Sequence, residues 1–276
     1  DTFAMDAISR LTVTAAERGH YDIRLEAAIA KMYNTEKCWR IVDDALQIRG
    51  GRGYETADSL RDRGERPVPV ERFMRDARIN LIFEGSSEIM RLFIAREAVD
   101  KHFKLAFPIV SPDSTFGQRV SAAVRAAPFY LTWYPALWWP RVGGYGRFGP
   151  LARHVRFAAR HARKLGRTLF HAMVRYGPSL ERRQAVLFRG VDIGAELFAM
   201  TAACVYADAE RRNGNAGAIE LADVFCREAE VRVRELFRNF NSRNDGPKRR
   251  LAGGLLDGDY AWMEEGIISA WGADSP

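Results

Sequence analysis

The sequence predicts an all-α chain. Two observations carry that reading. Apolar residues recur at helical spacing along most of the 276 residues, and the breaks between the periodic runs fall on helix-stopping or helix-capping residues such as Gly50-Gly51, Ser86-Ser87 and Phe107-Pro108. A chain of this length can bury a substantial core and holds one large or two modest domains.

Taken in order, residues 3–19 form the first predicted helix, already helical in period at Phe3, Met5, Ile8 and Leu11. The chain therefore reads as a piece of a longer polypeptide that begins inside an element, with nothing resembling a signal peptide. Leu25, Ile29, Met32, Trp39, Val42 and Leu46 mark the buried face of a second helix that stops at Gly50-Gly51. A loop is expected from Tyr54 to Pro69, either a tolerated surface insertion or a functional lid. A helix over 70–82 follows. Ser86 or Ser87 then caps a helix running to about residue 103.

Phe107-Pro108 and Ser111-Pro112 predict a break, and 105–150 read as an aromatic and basic linker. Three of the six tryptophans, Trp133, Trp138 and Trp139, crowd into Pro128–Pro140. That segment is too short and too rich in proline to span a bilayer. It suits either the headgroup level of a membrane or packing against the protein body. Beyond it, Arg153, Arg156, Arg160, Arg163 and Arg167 recur at helical steps beside an apolar stripe of Val155, Ala159, Ala162, Leu169 and Met173. Such a helix can lie on anionic lipid or against an acidic partner. Two further helices, about 184–210 and 217–240, complete the chain. Arg189, Asp192 and Glu196 argue against a membrane-spanning role for the first. In the second, Ile219, Val224, Phe225, Val231 and Phe237 are expected inside. The resulting division is 1–104, 105–150 and 151–276.

The net charge of +7 is unevenly spread. Residues 1–104 balance 18 basic against 18 acidic side chains, residues 105–200 hold 14 against 4, and residues 201–276 hold 10 against 13. The basic excess belongs to the middle segment, where no nucleic-acid motif accompanies it, so nucleic acid is not expected as a partner. Cys38, Cys204 and Cys226 form no C-x-x-C pair. They favour a reducing compartment, and metal binding is unsupported.

The chemistry is concentrated in Ile82-Phe83-Glu84-Gly85-Ser86-Ser87-Glu88-Ile89-Met90-Arg91. A carboxylate behind two apolar residues, followed by glycine and a helix start, predicts a desolvated acid raised toward general-base strength. Upstream, Gln47-Ile48-Arg49-Gly50-Gly51-Arg52-Gly53-Tyr54 places three glycines within four positions, and Val70-Glu71-Arg72-Phe73-Met74-Arg75-Asp76-Ala77-Arg78 leads to Glu84.

These three ordered motifs resemble the C-terminal helical domain of flavin-dependent acyl-CoA dehydrogenases, with patterns close to Q-x-x-G-G-x-G-[FY], P-V-E-R-x-x-R-D-x-[RK]-I and I-[FY]-E-G-[ST]-x-x-I-x-R. The resemblance covers about residues 1–104 and implies a four-helix-bundle domain, followed here by a second helical bundle. It implies FAD as cofactor, acyl-CoA as substrate, an electron-transfer flavoprotein as partner and a homodimer. By the same likeness Gln47, Ile48, Arg49, Gly50 and Gly51 would contact FAD of a neighbouring subunit, and Ser86, Ser87 and Glu88 the FAD of their own. Gly85 would lie against the acyl thioester. Glu84 would take the α-proton while a hydride leaves the β-carbon for the flavin. Some branches carry the base on an earlier helix, but residues 1–16 contain no Glu.

Ser86 and Glu88 depart from the Thr and Gln common in the family, and the loop before Pro69 is about ten residues longer than the family spacing. Arg75, Asp76 and Arg78 read as a structural ion network. The layout, with the run from Asp192 to Met200, resembles the very-long-chain branch, whose extra domain is tied to dimers and membranes. The whole enzyme would oxidise saturated long- or very-long-chain acyl-CoA to trans-2-enoyl-CoA in fatty-acid β-oxidation, in the cytoplasm or peripherally at the inner membrane face. The fragment alone should not turn over. An acyl-CoA oxidase-like enzyme and a non-catalytic membrane-docking or assembly module stand as alternatives.

Overall fold

The structure, a computed structural model, describes residues 1–19, 22–110, 113–139 and 143–266. Every regular element among them is helical. They divide into two compact units, one within residues 1–237 and the other from residue 238 onward.

Helix α1 (Thr2–Arg18) stops at Gly19, whose φ of 62° is the left-handed cap that glycine supplies at least cost. Helix α2 (Arg24–Arg49) rises about 39 Å at 1.5 Å per residue. The chain then turns through α3 (Gly51–Tyr54) and α4 (Ala57–Asp62) before α5 (Val70–Ile79) and α6 (Ser87–Val110). The expected loop at 54–69 is thus partly helical. Thr56 caps α4 by accepting from Ser59 N–H, and Leu60 is fully buried. Arg52 with Glu65 (3.0 Å) and Arg63 with Glu55 (2.9 Å) close the segment on itself.

Helix α6 continues to Val110, so Pro108 does not break it. Helix α7 (Phe116–Ala136) is a larger correction. The stretch read as a linker is a 21-residue helix that starts with a Thr115–Gln118 capping box and runs through Pro128 and Pro135. Packing compensates the hydrogen bonds those prolines cannot donate. Phe129, Tyr130 and Trp133 form one aromatic cluster with His102 of α6 and the distant Phe170, with His102 and Trp133 centroids 4.5 Å apart. Burial, with Lys101 adding to it, holds the His102 imidazole below its ordinary pKa. Ser111-Pro112 and Pro140-Arg141 lie outside the described residues.

Helices α8 (Ala152–Tyr176), α9 (Gln184–Arg212) and α10 (Gly217–Arg238) follow where periodicity places them. The middle one is central to the first unit. It lies against α1 and α6 as well as α8, so the two expected bundles share it. Its face of Ala195, Ala199, Ala202, Ala203 and Ala207 is fully buried, and small residues there let α1 approach through Ala4, Ala7 and Ile8. Helix α9 is long and apolar enough to cross a membrane, yet 67% of its most apolar window is buried inside the protein.

Two ion networks lock the helices across α9. Arg91 of α6 holds both oxygens of Glu36 from α2, at 2.6 and 3.0 Å, and reaches Asp192 of α9 at 2.9 Å. One turn on, Glu196 accepts two bonds from Arg232 of α10, at 2.8 and 3.0 Å, and a longer one from the Tyr33 hydroxyl. Bidentate geometry makes these pairs specific as well as strong.

Two side-chain assignments change. The buried face of α8 is His154, Phe157, Ala158 and Ala172, whereas Ala162 is exposed. On α10 the buried face is Ala218, Ala222, Phe225, Ala229 and Val233, leaving Val224 and Val231 each 57% exposed. On both helices the buried face includes alanines, while some larger apolar neighbours stay at the surface.

In the second unit, α11 (Asp245–Leu256) is followed by a short 3-10 turn at Ala261–Glu264.

Candidate active site

The connection between α5 and α6 is conformationally unusual. Glu84 has a φ of 51° and is the one non-glycine residue with positive φ among the described residues. Such a backbone costs an L-residue about 1–2 kcal/mol. Gly85 follows at 93°, and a Cβ there would meet the Met90 sulfur at 2.5 Å. The positive φ is what calls for glycine beside Glu84, since the Met90 side chain could shift away from an added Cβ.

A side chain from another helix holds this turn. Lys31 Nζ, on α2, donates to the carbonyl oxygens of Asn80 (2.8 Å) and Gly85. The backbone adds Ser87 N–H to Leu81 C=O at 3.3 Å. Strain at Glu84 persists because these contacts over-determine the loop, the pattern associated with functional sites.

The start of α6 opens onto a groove of about 580 Å³ that includes Trp39, Arg40, Arg78, Ser86, Ser87 and Glu88. Ser86 caps the helix, accepting from Ile89 N–H at 3.4 Å. Ser87 is buried and its hydroxyl has no hydrogen-bond partner. Arg78 lies over the Trp39 ring, 5.5 Å from its centroid. A helix start, the guanidiniums of Arg40 and Arg78, an indole and an unspent hydroxyl together suit a planar ligand with negative charge, while Arg91 is paired with Glu36 and the Glu88 carboxylate opposes that charge.

The expected desolvation of Glu84 is not supplied by this chain. Ile82, Phe83 and Glu84 are all exposed, so the apolar shelf is a surface. Arg75 and Asp76 do make ion pairs within α5, with Glu71 at 2.9 Å and Arg72 at 3.7 Å. Arg78 instead belongs to the groove.

The glycine motif lies elsewhere. Gln47 is sixteen residues beyond Lys31 on the same helix, about 24 Å along its axis. Gln47, Ile48, Gly50 and Gly51 are exposed, and Ile48 is 85% so. Gly50 has a φ of 58° with a ψ of −141°, and a Cβ on Gly53 would meet the Leu46 carbonyl oxygen at 2.6 Å. The Arg49 Nε is buried without a partner. Thus Ser86, Ser87 and Glu88 share the groove beside Glu84 and Gly85, while Gln47 to Gly51 form a separate exposed turn. Reading the sequence missed Lys31, because its partners lie 49 and 54 positions away.

A family model for the acyl-CoA dehydrogenase C-terminal domain matches residues 3–99, the stretch that holds all of these residues. The probable acyl-CoA dehydrogenase FadE10 of Mycobacterium tuberculosis is 49% identical over 276 residues, covering 96% of this chain and 42% of the relative. The chain belongs to the acyl-CoA dehydrogenase family. Human mitochondrial very long-chain specific acyl-CoA dehydrogenase is 27% identical over 258 residues, with 87% of this chain and 38% of the relative covered. The chain thus spans about two-fifths of the length of these dehydrogenases. A crystal structure of an acyl-CoA dehydrogenase complexed with FAD from Bacillus anthracis superposes with a TM-score of 0.60 at 23% identity, over 85% of this chain and 39% of that one, and shares its fold.

Proposed function

We propose that this chain is the C-terminal part of an FAD-dependent long- or very-long-chain acyl-CoA dehydrogenase in which Glu84 is the general base. The observation that carries the reading is the Glu84–Gly85 turn, strained at Glu84 and pinned by Lys31, next to a groove built for a planar anion. The residues fit FAD. Ser87 Oγ and Arg49 Nε are buried polar atoms without partners, one in each segment the family likeness relates to the flavin. Ser86, Ser87 and Glu88 would hold the flavin of their own subunit. Gln47 to Gly51, displaced along α2 and exposed, would meet that of a second copy, which supports a homodimer.

Bound FAD supplies the two-electron acceptor for the β-hydride. Glu84 takes the α-proton onto its carboxylate, and the carbon–hydrogen electron pair left behind becomes the new α,β double bond. The left-handed backbone aims the carboxylate, Gly85 lets the thioester approach, and Lys31 keeps both in register. Polypeptide outside this chain, or the substrate itself, covers Ile82 and Phe83 and dries the base.

The electrons then pass to an electron-transfer flavoprotein. The full-length protein, mixed anaerobically with palmitoyl-CoA, is expected to lose its flavin absorbance and to regain it rapidly with that acceptor but slowly in air. Rapid recovery in air identifies an oxidase, and no bleaching with any acyl-CoA identifies a non-catalytic module.

A membrane surface is the second partner we propose, with the protein peripheral at the inner face of the cytoplasmic membrane. Phe116, Val120, Val124 and Leu131 are exposed on α7 and fall within about 80° of arc at 3.6 residues per turn, and Trp138 and Trp139 are exposed just past its end. No acidic residue occurs from Ser114 to Leu180. Full-length protein should co-sediment with phosphatidylglycerol vesicles at low salt. Val124→Asp with Leu131→Asp should abolish it, and undiminished sedimentation of that variant removes the membrane reading.

A further inference from the structure

Helices α8 and α10 face each other across a groove that shares no residue with the Glu84 site. Arg153, Arg156 and Arg160 line it from α8, and Arg227 and Arg234 from α10. Its volume is about 470 Å³. Five guanidiniums on one concavity repel one another, and each is neutralised by the protein, left to solvent or open to a ligand.

Part of that charge is neutralised from below. His154 is 1% exposed, with Nδ1 2.8 Å from Glu230 Oε1 and Nε2 2.8 Å from Asp223 Oδ1. The same two carboxylates then hold three of the arginines. Asp223 accepts from Arg153 at 2.6 Å and Arg227 at 2.7 Å, and Glu230 accepts from Arg234 at 2.6 Å. Arg234 also lies over the Phe157 ring, 4.9 Å from its centroid. These contacts fix the guanidiniums without using all five N–H groups of any one.

The rest is left over. Arg156 and Arg160 are exposed, and neither makes an ion pair or hydrogen bond among the described residues. Two carboxylates cannot balance five guanidiniums, whatever the charge of His154. Nearby, His161 is held below its ordinary pKa first by burial, against its hydrogen bond to the Phe157 carbonyl, with Lys164, Arg160 and Arg234 adding smaller effects. A multivalent anion would bridge the two helices, accept the unused N–H groups and relieve the repulsion. Phosphate oxygens match the planar donor fork of arginine best.

We propose that the α8–α10 groove binds a phosphate-bearing ligand with at least two negative charges, held by Arg156, Arg160, Arg227 and Arg234. A soluble di- or polyphosphate and a phosphomonoester lipid headgroup share that chemistry. Arg156 and Arg160 are the residues to change, because neither has a partner in the protein to lose.

The experiment uses the FAD-loaded full-length protein, pyrophosphate as the soluble probe in calorimetry, and phosphatidic acid vesicles as the lipid probe. Saturable pyrophosphate binding that weakens about tenfold or more in Arg156→Ala/Arg160→Ala supports a soluble ligand. Vesicle binding that falls by a similar factor in the same variant, and that pyrophosphate displaces, supports the headgroup. Without ligand the double variant should melt at an equal or higher temperature than the parent at low salt, the difference vanishing at high salt as repulsion is screened. The proposal is overturned if pyrophosphate shows no saturable binding up to about 10 mM while vesicle binding is indifferent to the substitutions. Pyrophosphate affinity within about twofold of the parent in the double variant overturns it equally.

Discussion

Lys31 on α2 donates from its ammonium group to the carbonyl oxygen of Gly85, 54 residues away and next to Glu84. A second bond to Asn80 C=O at 2.8 Å makes the lysine a clamp on both ends of the turn. Lys31 touches no reacting atom in this arrangement. It is a positioning residue.

Lys31→Met should retain flavin but reduce the rate of flavin bleaching by about 10- to 100-fold, since displacement of a reacting group by about 1 Å costs up to 10²-fold. Stopped-flow absorbance checks this, and Lys31→Arg should recover part of the rate. An unchanged rate in Lys31→Met would remove the lysine from the account.

Glu84→Gly should abolish turnover while stabilising the fold. Relief of the left-handed backbone gains about 1–2 kcal/mol, offset by about 0.5–1 kcal/mol of added unfolded-state entropy. A net gain of about 1 kcal/mol, read from denaturant midpoints, is expected. Glu84→Val, whose branched side chain tolerates positive φ poorly, should lower stability.

Gly53→Ala is expected to destabilise by about 1–3 kcal/mol, because its Cβ would press on the Leu46 carbonyl at 2.6 Å. At Gly51, where nothing lies within 4 Å of an added Cβ, alanine should be tolerated. Paired thermal melts distinguish the two glycines.

Arg91→Met strips Glu36 and Asp192 of their shared partner. Their side chains are 25% and 30% exposed, so the loss should sit near the lower end of the range for a broken buried pair, about 3 kcal/mol. The apolar replacement of all three should be less harmful than that of Arg91 alone.

Asp223 sets a pH dependence. The hydrogen bond from His154, followed by those from Arg227 and Arg153, holds its carboxyl well below the ordinary range. A depressed acid contributes stability that is full above its unfolded value, about 3.9, and is lost as pH falls through the folded one. The stability gap between the parent and Asp223→Asn should therefore be constant from pH 5 to 7 and shrink below about pH 4. A gap that widens in acid contradicts this assignment.

Much of this was legible in the residues, for stated reasons. Helical period located α1, α2, α8, α9 and α10, because amphipathic faces are local properties. Helix α7 was not legible: Pro128 and Pro135 look like breaks, and only the rings of His102 and Phe170, distant in sequence, explain how the helix survives them. Val224 and Val231 were expected inside because hydropathy ranks valine above alanine, whereas Ala222 and Ala229 are the buried residues. Within the site, Glu84, Gly85 and Ser86 to Glu88 are adjacent and could be read together. Lys31 meets Gly85, and in the separate α8–α10 groove His154 meets Asp223 and Glu230, only through long-range packing.

Glu84 is the proposed base. The most direct measurement is anaerobic stopped-flow reduction of the flavin by palmitoyl-CoA in full-length Glu84→Gln, with flavin content determined in the same sample. That variant should carry a full complement of FAD and be reduced about 10²- to 10⁴-fold more slowly than the parent, the contribution of a positioned general base. Near-parental reduction with FAD bound would contradict it.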